Sequence, residues 1–216
     1  MQIAPSISSW LTYPSQEVKD TSAIRTLSVS DSSSEASLIE ASLEGNDNAF
    51  RILVERFMDE VSRTVTGMLG PVADVDDVVQ EVFIKLHGSL SSFRGEASLK
   101  TFVVRMAINK SLDALRKRKR KSWLSPWADI EENEPVSSIQ TDFELTASER
   151  RGQLRRAVNN LPDNQRAVIV LRLIEDISTE ETARILDVPY GTVLSRLKRG
   201  LDRLRTDLGD SAVLSE

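Results

Sequence analysis

The residues best suited to chemistry lie on one face of a predicted helix near the carboxyl end of the chain. That face carries the hydroxyl and guanidinium side chains of Thr192, Ser195, Arg196, Arg199 and Arg203. Such groups at the amino-terminal part of a helix are suited to contact base edges and phosphates in the major groove of DNA. The pattern therefore favours a DNA-reading helix. An ordinary amphipathic hairpin with a solvated basic face is the alternative.

The opposite face of this helix is apolar, with leucine and valine at steps of four, four and three. These residues are Val193, Leu197, Leu201 and Leu204. A shorter helix precedes it and begins with a predicted capping box, in which Ser178 accepts from the N–H three residues on and Glu181 reaches back to the Ser178 N–H. Pro189 suits the first turn of the second helix. Residues 178–205 are therefore predicted to form a helix-turn-helix.

Charge is distributed unevenly along the 216 residues. The formal net charge is −5, which by itself argues against a nucleic-acid partner. Lysine and arginine are concentrated in residues 116–121 and 196–205, whereas residues 129–149 contain acidic side chains and no basic ones. A chain of this kind can touch DNA locally but should bind it poorly on its own.

Composition excludes several classes of function. The chain has no cysteine and one histidine, so we expect no disulfide, no metal site and no cofactor. The paired acids Asp76/Asp77 and Glu180/Glu181 occupy adjacent helical positions and point apart, so they do not form a catalytic carboxylate pair. No apolar run is long enough to span a bilayer and no secretory signal is evident. We therefore expect a cytoplasmic protein that is not an enzyme.

Hydrophobic periodicity predicts an all-α fold of two small helical domains joined by a flexible acidic linker. The predicted divisions are a disordered extension (1–33), a domain of four helices (34–121), the linker (122–146), a domain of about four helices (147–209) and a tail (210–216).

Three polar features stand out in the first domain. One predicted helix begins at an Asp74 N-cap and carries Asp77, Gln80, Glu81 and Lys85 on one side. A loop with Phe93, Arg94 and Gly95 follows, and the next helix carries a stripe of Arg105, Asn109, Asp113 and Arg116. The plain alternatives are a solvated face for the first helix and core packing for Phe93.

With these motifs in view, the chain resembles the group IV, or extracytoplasmic-function (ECF), sigma factors of bacterial RNA polymerase. The strongest markers are DVDDVVQEVFIKL (74–86), SFRGEASLKTFVVRMAIN (92–109) and LPDNQRAVIVLRLIEDISTEETARILDVPYGTVLSRLKRG (161–200). The resemblance implies a σ2-like domain that binds polymerase and opens the −10 element, and a σ4-like domain that reads the −35 element.

The resemblance also implies roles for particular residues. Polymerase binding would fall to Asp77, Gln80 and Glu81, beside exposed valine. Contacts to the −10 element would fall to Phe93, Arg94, Gly95, Arg105, Asn109 and Arg116. Contacts to the −35 element would fall to Tyr190, Thr192, Ser195, Arg196, Lys198 and Arg199. An unstacked base needs an aromatic or guanidinium surface, polar edges and close backbone approach, which the −10 set supplies.

Four positions depart from the family's pattern. Thr179 replaces a common aromatic residue, and His87 stands where tryptophan is frequent. Thr182 replaces a common isoleucine and is expected to weaken the core between helices. Asp187 replaces the usual turn glycine, and since aspartate tolerates the left-handed conformation better than most residues, the turn should form with some strain.

The partners implied are core RNA polymerase, through its β′ clamp and β flap, and promoter DNA; an anti-sigma factor is a further candidate. We expect no membrane insertion and a monomer when free. The competing hypothesis is a self-sufficient helix-turn-helix regulator, which would need a dimer surface and matching half-site spacing.

Overall fold

Every regular element in the described part of the chain is a helix. The computed structural model describes residues 33–72, 74–124 and 147–209. The first helical region consists of α1 (Glu35–Leu43), α2 (Asp47–Leu69), α3 (Val75–Ser89) and α4 (Leu99–Leu124). The second helical region consists of α5 (Ala147–Asn160), α6 (Asp163–Ile169), α7 (Thr179–Leu186) and α8 (Tyr190–Leu208). The all-α prediction is confirmed for these residues.

Short irregular helices link the longer ones. A 3₁₀ turn, Leu90–Ser92, follows α3, and a π-helical turn, Val170–Ile174, continues α6. The predicted extension (apart from residue 33), most of the predicted linker and the predicted tail lie outside the described residues. Within those residues, no helix is long and apolar enough to cross a membrane, and no cluster of three or more potential ligands is arranged to hold a metal ion.

Polar side chains begin several of the helices. Ser34 accepts from the N–H of Ser37 at 3.2 Å at the start of α1, and Asn46 accepts from Ala49 at 3.2 Å at the start of α2. Asp74 stands at the predicted N-cap of α3 but has helical backbone angles and makes no capping hydrogen bond through its side chain. The expected side-chain cap at Asp74 is therefore wrong, although α3 begins where predicted.

The first helical region is a four-helix body centred on α2 and α4. Its fully buried side chains include Leu53, Val61, Val65, Met68, Leu86, Val103, Val104 and Ile108. Helix α4 runs to Leu124, three residues into the segment predicted as linker. The apolar period of the sequence does not continue that far, so the sequence did not predict this extension.

The second helical region packs α8 against α5 and α6. Ala157, Leu161, Ile169 and Leu204 form its own small apolar cluster. Gly200 allows α8 to approach α6 closely, because a Cβ there would lie 3.1 Å from Cγ1 of Ile169.

The two helical regions also pack against each other. Val170, Leu171 and Ile177 belong to the same apolar cluster as the core of the first region. The guanidinium of Arg63 in α2 pairs with the carboxylate of Glu175 at 3.0 Å. The sequence predicts which faces of these helices are apolar, but it does not predict this contact between the regions.

Candidate nucleic-acid interface

The turn between α7 and α8 has the geometry of a helix-turn-helix. Ser178 accepts from the N–H of Glu181 at 3.1 Å, which confirms the predicted N-cap of α7. Asp187 ends α7 in the left-handed conformation, with φ 51° and ψ 53°, as the sequence predicts for the position of the usual glycine. Pro189 stands one residue before α8 rather than in its first turn, and its carbonyl accepts from the N–H of Thr192 at 2.9 Å.

Helix α8 presents its polar stripe outward. Tyr190, Ser195, Lys198 and Arg199 are exposed, and Thr192 and Arg196 are half-buried. On the other face Val193 and Leu204 are buried, whereas Leu197 and Leu201 are half-buried. The helix carries five basic and two acidic residues, so this surface is locally cationic in a chain of net charge −5. These features match the requirements of a helix that enters the major groove.

The core beneath α8 contains an unsatisfied hydroxyl. Thr182 on α7 is fully buried, and its Oγ1 has no hydrogen-bond partner among the described residues. A buried hydroxyl without a partner costs about 1–3 kcal/mol. This supplies a physical reason for the expected weakening of the core at the position of the common isoleucine.

The polar stripe predicted on α4 is exposed along its whole length. It consists of Arg105, Asn109, Asp113 and Arg116. Arg116 donates to the Asp113 carboxylate at 2.9 Å, three residues away along the helix. The stripe continues into the basic residues at the end of α4, which gives this face a cationic end.

The loop before α4 supplies an aromatic side chain beside a groove. Phe93 is half-buried and contacts Phe102, with ring centroids 5.1 Å apart and planes inclined by 54°. Phe93 and Gly95 line an open, mostly apolar groove together with Ile39 and Leu43 of α1. Arg94 and Gly95 are exposed. Sequence reasoning missed α1 as the wall of this groove, since nothing in the period of α1 indicates what it faces.

Gly95 adopts φ +71°, a conformation that disfavours side chains other than glycine. The ring of Phe93 packs on the core through Phe102, as in the plain alternative, and also borders the groove. Its contact with the −10 element stays a prediction. Phe102 is half-buried against the same core.

A second surface lies on α3. Asp77 and Glu81 are exposed and Gln80 is half-buried, while Glu81 also accepts an ion pair from Lys110 of α4 at 2.8 Å. The expected exposed valine is wrong, because Val78, Val79 and Val82 are buried and Val75 is half-buried. The exposed apolar side chain on this stripe is Ile84, at 72%. Ile84 follows Asp77 by seven residues, a spacing that places both side chains on the same face of a helix. This spacing could have identified Ile84 from the sequence.

Comparison with known proteins identifies the family. Residues 53–121 match the family model of Sigma-70 region 2, and residues 151–204 match that of Sigma-70, region 4. The chain is 34% identical over 176 residues to the ECF RNA polymerase sigma-E factor of Escherichia coli (strain K12), covering 77% of this chain and 90% of that protein. The chain belongs to the ECF sigma factors of the sigma-70 family. It is also 32% identical over 175 residues to the ECF RNA polymerase sigma factor SigW of Bacillus subtilis (strain 168), covering 77% of this chain and 92% of that protein.

Solved structures share the fold of this ECF sigma factor. The sigma factor RpoE, in complex with the anti-sigma factor NepR from Bartonella quintana, aligns with a TM-score of 0.61 and 23% identity, covering 75% of this chain and 98% of that one. CnrH, in complex with the cytosolic domain of CnrY, aligns with a TM-score of 0.55 and 23% identity, covering 81% and 96%.

The family settles the general activity. As an ECF sigma factor, the protein is a non-catalytic subunit of RNA polymerase that directs promoter recognition. The exposed polar stripes of α3, α4 and α8, and the groove beside Phe93, are candidate surfaces for that activity.

Proposed function

We propose that this sigma factor uses the two helical regions for different parts of promoter recognition. The first region, residues 34–121, binds core polymerase and contacts the −10 element. The second, residues 147–209, contacts the −35 element. We infer that the protein acts in the cytoplasm as a monomer when free. An anti-sigma factor is a further proposed partner, because the solved relatives RpoE and CnrH were captured in complexes with NepR and CnrY.

We assign core-polymerase binding to Asp77, Gln80 and Glu81 on α3, and we add Ile84. The support is their exposure along one face, where carboxylates and an amide surround an apolar side chain. Protein interfaces combine an apolar centre with a polar rim, and this stripe has that composition. The Lys110–Glu81 ion pair holds the Glu81 carboxylate at the edge of the surface.

Contacts to the −10 element are assigned to two adjoining features of the first region. Phe93, Arg94 and Gly95 form the loop that borders the groove, and Arg105, Asn109 and Arg116 form the stripe along α4. Extrusion of a base costs a few kcal/mol. Stacking on an aromatic or guanidinium surface returns about 1–3 kcal/mol per base, so these side chains can stabilise a single unpaired base.

Contacts to the −35 element are assigned to Tyr190, Thr192, Ser195, Arg196, Lys198 and Arg199. The observation that carries this assignment is the outward polar stripe of α8. This helix is the second helix of a helix-turn-helix, whose first helix, α7, ends at the left-handed Asp187. Arg196 lies half-buried near the middle of the stripe. A guanidinium can donate two hydrogen bonds to one base edge at the same time.

The proposal is tested by transcription and DNA binding with and without core polymerase. Because the net charge is −5, free protein should bind a promoter duplex weakly, and core polymerase should confer tight and sequence-specific binding. Equally strong specific binding in gel shifts without polymerase, together with a dimer in light scattering, would favour the self-sufficient regulator instead. In vitro transcription on a fragmented genome then gives the start sites.

Two substitutions separate the proposed roles. Arg196→Ala should cost about 1–3 kcal/mol in binding of the −35 element, with relaxed preference at one base pair. Gln80→Ala should weaken the affinity for core polymerase and leave promoter preference unchanged. If each variant shows the defect expected of the other, the roles of the two regions are reversed.

A further inference from the structure

The groove beside Phe93 leaves apolar surface open to solvent along α1. It has a volume of about 450 Å³, and its apolar lining comes from Ala36, Ile39, Leu43 and Phe93. Leu43 is 53% exposed, and Ile39 and Phe93 are half-buried. Apolar side chains gathered in a concave surface of this kind are typical of a docking site.

The charges along the groove determine which kind of occupant fits. Glu40 and Glu44 of α1 also line it, and both are exposed. The described residues that line the groove include no lysine or arginine. Because carboxylates repel phosphates, a nucleic-acid backbone is disfavoured along α1. This part of the groove therefore suits an apolar peptide segment without acidic side chains.

The sequence contains such a segment outside the described residues. Residues 1–16 carry no charged side chain, although 28% of the whole chain is charged. Within this stretch, Trp10, Leu11 and Tyr13 place three large side chains in four positions. Aromatic side chains bury a large apolar area and provide much of the binding energy at interfaces. None of the surfaces assigned above uses these three residues.

The length of the intervening chain allows this segment to reach the groove. Residues 14–32, nineteen in all, separate Tyr13 from Ser33, the first described residue. A fully extended chain of that length spans roughly 60 Å. Helix α1 begins two residues after Ser33 and, with nine residues, is about 13 Å long. The carbonyl of Ser33 accepts from Nη2 of Arg56 on α2 at 3.1 Å, which fixes the point from which the chain has to return.

We propose that residues 10–13 of the same chain dock in the groove beside Phe93. The tether makes this docking intramolecular, so a weak contact is sufficient. None of the lining residues belongs to α3, so the surface assigned to polymerase stays free. The docked segment covers Phe93, and the −10 element has to displace it. The docking is independent of the proposed function, whereas the competition with DNA rests on it.

Tryptophan fluorescence of the full chain tests the docking. The chain has three tryptophans, and the double substitution Trp123→Phe/Trp127→Phe leaves Trp10 as the reporter. Trp10 should be shielded from quenching by acrylamide. Adding Leu43→Asp should lower the ratio of docked to undocked protein about tenfold, because it removes an apolar contact and places a charge in the groove. Leu154→Asp is the matched control, since Leu154 is also an exposed leucine, at 48%, but belongs to α5.

Three results would overturn the docking. Trp10 could be as accessible in the parent protein as in Leu43→Asp, or Leu154→Asp could release it equally. Shielding that disappears on dilution would mean that the groove holds the segment of a second copy. If Leu43→Asp folds poorly, Ala36→Asp replaces it, because Ala36 also lines the groove and is exposed.

A reversible disulfide tests the competition with DNA. The chain contains no cysteine, so the double variant Leu11→Cys/Glu40→Cys has no competing thiol, and its single variants are the controls. The oxidised monomer should lose polymerase-dependent transcription by on the order of tenfold, as expected when a base can no longer stack on Phe93. Dithiothreitol should restore transcription, and the affinity for core polymerase without DNA should not change.

The two experiments separate the docking from the proposed function. Shielding of Trp10 that Leu43→Asp removes, combined with equal transcription in both redox states, supports the docking and contradicts the assignment of Phe93 to the −10 element. Wild-type protein that directs no transcription with core polymerase contradicts the proposed function and leaves the fluorescence result unchanged.

Discussion

The guanidinium of Arg199 folds back onto Ser195, one turn earlier in α8. Nε donates to the Ser195 carbonyl at 3.1 Å and Nη2 to the Ser195 hydroxyl at 3.3 Å, and that hydroxyl donates to the Thr192 carbonyl at 3.0 Å. Arg199 is therefore oriented before DNA arrives, with further N–H groups left to bind a phosphate. By contrast, no hydrogen bond or ion pair holds Arg196 or Lys198 within the described residues.

We expect Ser195→Ala to weaken binding of the −35 element by about 0.5–1.5 kcal/mol, because it removes one of the hydrogen bonds that orient Arg199. Binding of holoenzyme to promoter duplex, measured by fluorescence anisotropy, gives the value. A double-mutant cycle with Arg199→Ala should show that the two effects are coupled. Strictly additive effects would contradict the orienting role of Ser195.

Lys198→Ala should weaken binding about equally at all −35 sequences and reduce the slope of log affinity against log salt by about 1, as expected for a phosphate contact. The matched control is Arg205→Ala, which removes the same charge from α8 at an exposed residue near Asp202. If the salt slope changes as much in Arg205→Ala as in Lys198→Ala, the effect comes from the overall charge and not from a phosphate contact at Lys198.

Ile84→Ser should lower the affinity for core polymerase without lowering the melting temperature, since the side chain is 72% exposed and contributes little to the core. Leu43→Ser is the control, because Leu43 is also an exposed apolar residue of the first region, at 53%, but belongs to α1. Affinity is measured with labelled protein in the absence of DNA. Similar losses in both variants would argue against a specific surface on α3.

Sequence periodicity predicted which residues of each helix are apolar but not what they pack against. The outward stripes of α4 and α8 follow directly from spacings of three and four. The α4 stripe is exposed throughout, and the α8 stripe is exposed except at the half-buried Thr192 and Arg196. The left-handed Asp187 was predicted because the family pattern has glycine there. The exposed face of a helix and the conformation of a turn both depend on neighbours within one or two helical turns. A local sequence pattern is therefore enough to predict them.

The contact between the two regions was not predictable in the same way. Glu175 follows an apolar run and looks like a surface residue, yet its carboxylate is buried against Arg63, 112 positions earlier. Gly67 gives no signal as a point of close approach until Val170 is placed beside it. Ile84 was missed because the sequence analysis assigned the exposed apolar position beside Asp77, Gln80 and Glu81 to valine.

Thr182→Val should stabilise the protein by about 1–2 kcal/mol, because it replaces an unpartnered buried hydroxyl with a methyl group of similar volume. The control is Thr64→Val. Thr64 is also fully buried, but its hydroxyl donates to the Glu60 carbonyl at 2.8 Å, so its removal forfeits a hydrogen bond. Urea unfolding of both variants gives the comparison. Equal stabilisation at the two positions would mean that the missing partner at Thr182 is not the cause.

Arg166→Met should destabilise the protein by about 3 kcal/mol or more, because it leaves the carbonyls of Met68, Asn159 and Leu161 without the guanidinium that they share. Burial lowers the pKa of Arg166, with nearby Asp163 opposing the shift, but a guanidinium stays charged at neutral pH. The exposed Arg155 on α5 provides the control Arg155→Met, which should change the free energy of unfolding by less than about 0.5 kcal/mol. Arg166→Lys keeps the charge but lacks the planar fork, so it should fall between the two. If urea unfolding gives the same value for Arg166→Met and Arg155→Met, the carbonyls find other partners and Arg166 does not join α2 to α6.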